Sequence, residues 1–122
     1  PAARSVEADL LAEAREALRC DVLVVGHHGS MTSSRRAFLE AVRPKHAIIS
    51  AGPKRFHGVT LPDPEVVAEL AARGAAVHRT DENDEACRDR PRKVGAEVAD
   101  GRPGGCDAVK LTLGAEITVS RW

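Results

Sequence analysis

The chain twice follows the same rhythm with different residues: a short aliphatic run, a glycine-containing loop, then a helix-length stretch with its apolar residues on one side. No other feature restricts the fold as strongly. The first phrase is Asp21 to Val25, a turn, and Arg35 to Val42, whose Phe38, Leu39 and Val42 share a face before Pro44 stops the helix. The second is His46 to Ser50, a loop through Thr60, and a helix from about Glu65 to Arg73. Asp63 stands at its N-cap, Pro64 at the first helical position and Gly74 at the carboxyl end. A third aliphatic run, Ala75 to Arg79, follows. Strands alternating with helices imply βαβ units, right-handed crossovers and a parallel sheet.

Around this core the chain reads differently. Ser5 through Arg19 carries Val6, Leu10, Leu11, Ala14, Ala17 and Leu18 at helical spacing, with Ser5 as a possible N-cap and acidic residues in the first turn. From Thr80 to Gly105 the chain is polar and rich in helix and strand breakers, an insertion centred on about residues 82–106. Asp107 to Leu113 and Glu116 to Ser120 alternate across a short Gly114-Ala115 turn and read as a hairpin. The expected class is α/β, parallel βαβ units followed by a carboxyl-terminal β-hairpin, within residues 1–122 as a single, partial domain.

Composition excludes several function classes. Phe38, Phe56 and Trp122 are the whole aromatic content, so stacking bases on an aromatic platform is not expected. The formal net charge is zero, so no overall field recruits polyanions or membrane surfaces, and any nucleic-acid contact must be local. No apolar stretch approaches the roughly 18 residues of a membrane span. The first residue is Pro1 rather than methionine, which suggests a cut or processed product and leaves a signal or membrane segment upstream open. Of three cysteines, Cys20 precedes the first strand and is expected as a small buried hydrophobe. Cys87 and Cys106 flank the polar insertion, and a disulfide between them would stabilise by about 3 kcal/mol and imply an oxidising compartment.

The chemistry concentrates in Gly26-His27-His28-Gly29-Ser30 at the end of the first strand. Glycine on both sides lets the backbone turn sharply and approach a ligand, which makes His27 and His28 metal-ligand candidates, although such pairs also occur as solvent-facing or hydrogen-bonded histidines. Ser30, Thr32, Ser33 and Ser34 offer hydroxyls and N–H groups to a phosphate or carboxylate, or simply cap the next helix. The loop after the second strand carries Lys54, Arg55 and His57, again at a strand's carboxyl end, where ligands gather in parallel α/β sheets, although composition fits a solvated basic loop equally well. Asp81, at the end of the third strand, could support a histidine N–H or equally cap a turn. His46 at a strand's start and His78 within a strand read as structural.

Val24-Val25-Gly26-His27-His28-Gly29-Ser30-x-Thr32-Ser33-Ser34, then Arg43-Pro44-Lys45-x-Ala47-Ile48-Ile49-Ser50, Pro64-Glu65-Val66-Val67 and Arg79-Thr80-Asp81 resemble the later half of the metallo-β-lactamase fold. Within it, the branch resembled is the carboxyl end of ComEC-type DNA-internalisation competence proteins and their free-standing secreted relatives. The resemblance implies half of an αββα sandwich, two zinc or manganese ions in the complete domain, and hydrolysis of a phosphodiester or similar ester by metal-activated water. It assigns metal binding to His28 with His27 beside it and an active-site role to His57; Ser30, Thr32, Lys54 and Arg55, read from their own chemistry, are the substrate-binding candidates around them. The superfamily's His-x-His-x-Asp-His motif is not in these residues. The chain therefore resembles half an enzyme, inactive alone, whose partner is a missing amino-terminal half carrying that motif or a self-associated chain. The Cys87–Cys106 loop fits the secreted relatives better and implies an extracellular or periplasmic face, which weakens DNA as the substrate without excluding it. The alternative is a module that retains the fold and binds nucleic acid or a partner without catalysis.

Overall fold

The computed structural model describes residues 6–51, 58–80 and 109–121. In chain order the elements are α1 (Val6–Ala14), a 3-10 turn (Arg15–Leu18), β1 (Val22–Val24), the turn Gly26–Gly29, α2 (Arg36–Val42), β2 (His46–Ile49), α3 (Pro64–Ala72), β3 (Ala76–Arg79), and the strands β4 (Val109–Leu113) and β5 (Ile117–Arg121). The expected strand and helix rhythm is present, with ends shifted by a residue or two. β1, β2 and β3 form a parallel sheet in sequence order, and β4 and β5 form a separate antiparallel pair.

Register sorts the sheet into two faces. Leu23, Ala47 and Val77 lie side by side, and Ala47 and Ile49 are fully buried on the face that receives α2 and α3. Leu39 from α2 and Val66 and Leu70 from α3 complete that core, with Val25 and Ala75 at its ends. All of these buried side chains are aliphatic, and Phe38 of α2, partly buried, packs against them. The other face carries Val22, Val24, His46, Ile48 and His78, and Val24 is 66% exposed.

The helix ends follow local chemistry, with two departures. After α3, Gly74 takes φ 84° while its N–H reaches the Ala71 carbonyl and that of Ala75 reaches Leu70, the paired bonds of a glycine-terminated helix. Asp63 is the N-cap as expected, yet its side chain does not cap α3. At α2 the N-cap is Arg35 with no side-chain bond, so neither Ser33 nor Ser34 serves as the cap. Ser33 Oγ donates to the Gly26 carbonyl at 3.0 Å instead.

α1 is shorter than its periodicity implies, tightening into the 3-10 turn after Ala14, and none of its residues is fully buried. It packs on α2 rather than on the sheet, which leaves Val6 75% exposed. Cys20 is exposed, not buried, because β1 starts only at Val22 and its Sγ turns back to donate to the Val22 carbonyl at 3.2 Å. The insertion at 82–106, with Cys87 and Cys106, lies outside the described residues.

Candidate functional site

Three consecutive residues beyond β1 adopt left-handed backbone: His27 (φ 49°, ψ 41°), His28 (φ 54°, ψ 26°) and Gly29 (φ 81°). Glycine does this without cost, but each histidine costs about 1–2 kcal/mol, so the surroundings must hold the turn in place. They do so from several sides. A Cβ on Gly29 would sit 2.5 Å from Pro62 Cβ, so the loop before α3 presses directly on the turn. Asp63 N–H donates to the Gly29 carbonyl at 2.9 Å, and the Asp63 carboxylate accepts from Met31 N–H at 2.7 Å. From α1, Glu7 reaches across 27 residues to take the N–H groups of Ser34 and Arg35 on its two oxygens.

These bonds decide what the serine-rich stretch can do. Ser30 N–H goes to the His27 carbonyl, Thr32 N–H to Ser30 Oγ and Ser33 N–H to the Ser30 carbonyl. Together with Met31, Ser34 and Arg35, every N–H from Ser30 to Arg35 is satisfied within the chain. The donors that an anion-binding nest requires are already committed, two of the acceptors being carboxylates. Ser30 is itself buried, its hydroxyl 2.9 Å from that of Thr32.

The imidazoles are tied down one by one. His28 Nδ1 lies 2.7 Å from the Ser50 carbonyl at the end of β2. A carbonyl only accepts, so Nδ1 carries the proton, and the neutral ring keeps its lone pair on Nε2. His27 Nδ1 lies 2.9 Å from Thr32 Oγ1, the hydroxyl that also meets Ser30. Both rings are exposed. Thr80, just past β3, fixes the same sheet edge: its Oγ1 accepts from Ala51 N–H at 3.0 Å and donates to the Ala51 carbonyl at 2.9 Å. The carboxyl ends of all three parallel strands thus converge on one edge, with His28 hung from β2.

His57, Lys54, Arg55 and Asp81 lie outside the described residues, so the structure brings together only His27, His28, Ser30 and Thr32 of the expected set. Among the described residues no group of three or more His, Cys, Asp or Glu could hold a metal ion. His28 has the donor chemistry of a ligand, but two imidazoles do not make a complete site. Beside the turn runs a groove lined by Met31, Ser34, Arg35, Arg36, Glu65 and Glu69 among others, which includes neither imidazole.

Sequence reasoning missed Glu7, Pro62 and Thr80, and gave the Asp63 side chain the wrong task. The cap position of Asp63 was visible, but its reach to Met31 was not. Glu7 looked like any acidic residue in a first helical turn.

Comparison with known proteins bears on about half of the chain. It is 43% identical over 67 residues to ComE operon protein 3 of Bacillus subtilis (strain 168), covering 54% of this chain and 8% of that protein. It is 42% identical over 64 residues to Competence protein ComA of Neisseria gonorrhoeae, covering 52% and 9%. Recombination protein 2 of Haemophilus influenzae (strain ATCC 51907 / DSM 11121 / KW20 / Rd) is 43% identical over 67 residues, covering 55% and 8%. No family model matches, and no solved structure matches. The chain spans less than a tenth of the length of these curated relatives, and over that stretch it is a homologue of competence proteins.

Proposed function

We propose that this chain is the carboxyl-terminal half of a metallo-β-lactamase-fold domain in a protein of DNA uptake, and that its histidine turn lends His28 to a metal-dependent phosphodiester-hydrolysing site. The observation that carries the reading is the bond from His28 Nδ1 to the Ser50 carbonyl. Metal-ligating histidines are characteristically oriented by such a bond at the other ring nitrogen, which fixes the tautomer and raises the basicity of the donor. A strained backbone held by Pro62, Asp63 and Glu7 supports the same reading, because strain is retained where geometry matters to function. The relatives, named for competence and recombination, supply the DNA context.

In this reading His28 Nε2 binds zinc or manganese, and the ion, when bound, supplies an activated water. Ser50 holds the ring's tautomer, and Thr32 holds the His27 ring in place beside it. His57, Lys54 and Arg55 would approach the substrate from the loop after β2. The remaining ligands come from a His-x-His-x-Asp-His half outside this chain, packed on the sheet face where Val24 is exposed. The complete domain would work on the extracellular or periplasmic side.

The test uses the full-length polypeptide that contains this chain. Purified protein should carry stoichiometric zinc or manganese by elemental analysis and cleave linear DNA or bis(p-nitrophenyl) phosphate. His28→Ala should lower metal content and reduce turnover by about a hundredfold or more, exceeding the effect typical of a ligand's outer partners. Undiminished metal and turnover in His28→Ala, or a parent protein that takes up no metal, would refute the proposal.

A further inference from the structure

Two hydroxyls stand in line behind His27. Ser30 is buried, its Oγ lies 2.9 Å from Thr32 Oγ1, and Thr32 Oγ1 in turn lies 2.9 Å from His27 Nδ1. Ser30 Oγ already accepts the Thr32 N–H at 3.2 Å. Among the described residues the hydroxyl proton of Ser30 has one acceptor in reach, Thr32 Oγ1, and a buried hydroxyl proton left without an acceptor is costly. Ser30 therefore donates to Thr32, Thr32 donates to His27 Nδ1, and each bond polarises the next. A nitrogen that accepts carries no proton, so neutral His27 holds its proton on Nε2. His28 is the reverse, with its proton on Nδ1 toward the Ser50 carbonyl and its lone pair on Nε2.

We infer that Ser30 and Thr32 lock His27 in the tautomer opposite to that of His28, which makes His27 Nε2–H a hydrogen-bond donor to a phosphoryl oxygen of the substrate and leaves His28 as the metal ligand of the turn. The tautomer stands on the bonds above, whereas the substrate contact rests on the phosphodiester-hydrolysing reading of the site. With its Nδ1 lone pair bonded to Thr32 and its Nε2 protonated, neutral His27 has no lone pair for an ion. Its ring is exposed, and its Nε2 bonds to no other described residue. Consecutive left-handed residues set the two rings on one turn, one offering a lone pair and the other an N–H. Phosphoryl oxygens gain negative charge as a phosphodiester is attacked, and a donor held in position beforehand stabilises that charge without reorganising. His27 is the group that meets substrate; Ser30 and Thr32 are positioning residues. The buried serine hydroxyl thereby has a task, although it caps no helix.

Long-range proton–nitrogen NMR spectra of the full chain, recorded in mildly alkaline buffer with the rings neutral, report each tautomer directly. His27 should show the Nε2–H pattern and His28 the Nδ1–H pattern. Thr32→Val should return His27 to the mixed tautomers of a free imidazole, and Thr32→Ser should restore the Nε2–H form. In the full-length polypeptide the variant is His27→Asn, which tolerates left-handed backbone and keeps an amide within reach of Thr32 but ends short of Nε2. It should retain the parent's metal content and lower turnover of bis(p-nitrophenyl) phosphate by about a hundredfold, the loss found for one preorganised donor. The inference is overturned if His27 shows Nδ1–H or a mixture in the parent, if Thr32→Val leaves its tautomer unchanged, or if His27→Asn loses metal or keeps the parent's turnover. A parent protein without metal, or His28 found as Nε2–H, would refute the hydrolase reading and the substrate contact with it, while the His27 spectrum still decides the tautomer. The parent spectra decide alone should a variant fail to fold.

Discussion

The molecule holds two histidine pairs in opposite ways. His27 and His28 stand on left-handed backbone, and each ring is tied to a different partner, Thr32 or Ser50. His46 and His78 stand on regular strands and are tied to each other. The first pair is costly to build and is supported by residues from α1, the loop before α3 and the end of β2. The second costs the backbone nothing, because the register of a parallel sheet supplies its placement. Removing supports should therefore damage the turn far more than removing the rings damages the strand pair.

The largest effect is expected at Gly29. Alanine there must accept φ 81° and a Cβ pressed to within 2.5 Å of Pro62 Cβ. Left-handed strain and overpacking together should lower stability by about 2–4 kcal/mol, read as an earlier urea midpoint with unchanged slope. A midpoint equal to that of the parent would mean that the loop before α3 gives way, and the turn is not rigidly clamped.

Glu7→Ala comes next. It strips the acceptors from two N–H groups, one on buried Ser34, and should cost about 1.5–3 kcal/mol. Amide exchange sharpens the attribution, because the Ser34 amide should lose protection while amides in β2 follow only the global change. The strand pair gives the contrast: replacing both His46 and His78 by Gln should cost no more than about 1 kcal/mol, the net worth of one hydrogen bond. If the double variant proves as damaging as Gly29→Ala, the comparison between the pairs fails.

What the sequence disclosed follows the range of each interaction. The βαβ rhythm was readable because helix and strand periodicity are local. Gly74 and Pro64 were readable for the same reason, since each acts within a few residues of itself. Glu7 and Asp63 were not, because a carboxylate that satisfies N–H groups 27 or 32 residues away leaves no mark on its own neighbourhood. The serine run was misread for a related reason: hydroxyls before a helix usually cap it, and here Glu7 met the Ser34 and Arg35 N–H groups first. The histidine turn was legible as a site through its flanking glycines. That His28 is oriented by Ser50 depends on β1 and β2 being neighbours, which no local pattern states.

The smallest effect concerns Cys20, at the junction where α1's 3-10 turn passes into β1. Partial burial pushes its thiol pKa up, the neighbouring Asp21 carboxylate adds to the rise, and a backbone bond at Val22 opposes both. At a given pH a smaller share of Cys20 is therefore thiolate than in an unfolded peptide, and only the thiolate is nucleophilic. Alkylation by iodoacetamide near pH 8 should run slower in the folded protein than in urea, with the two rates converging as pH climbs past the raised value. The same shift makes the folded state favour the neutral thiol, a contribution to stability that is present at low pH and lost as pH rises through the folded pKa. A folded-state rate equal to the unfolded one at pH 8 would show that Cys20 is wholly solvated, and that the passage from α1 into β1 is looser than the clamped turn one strand away.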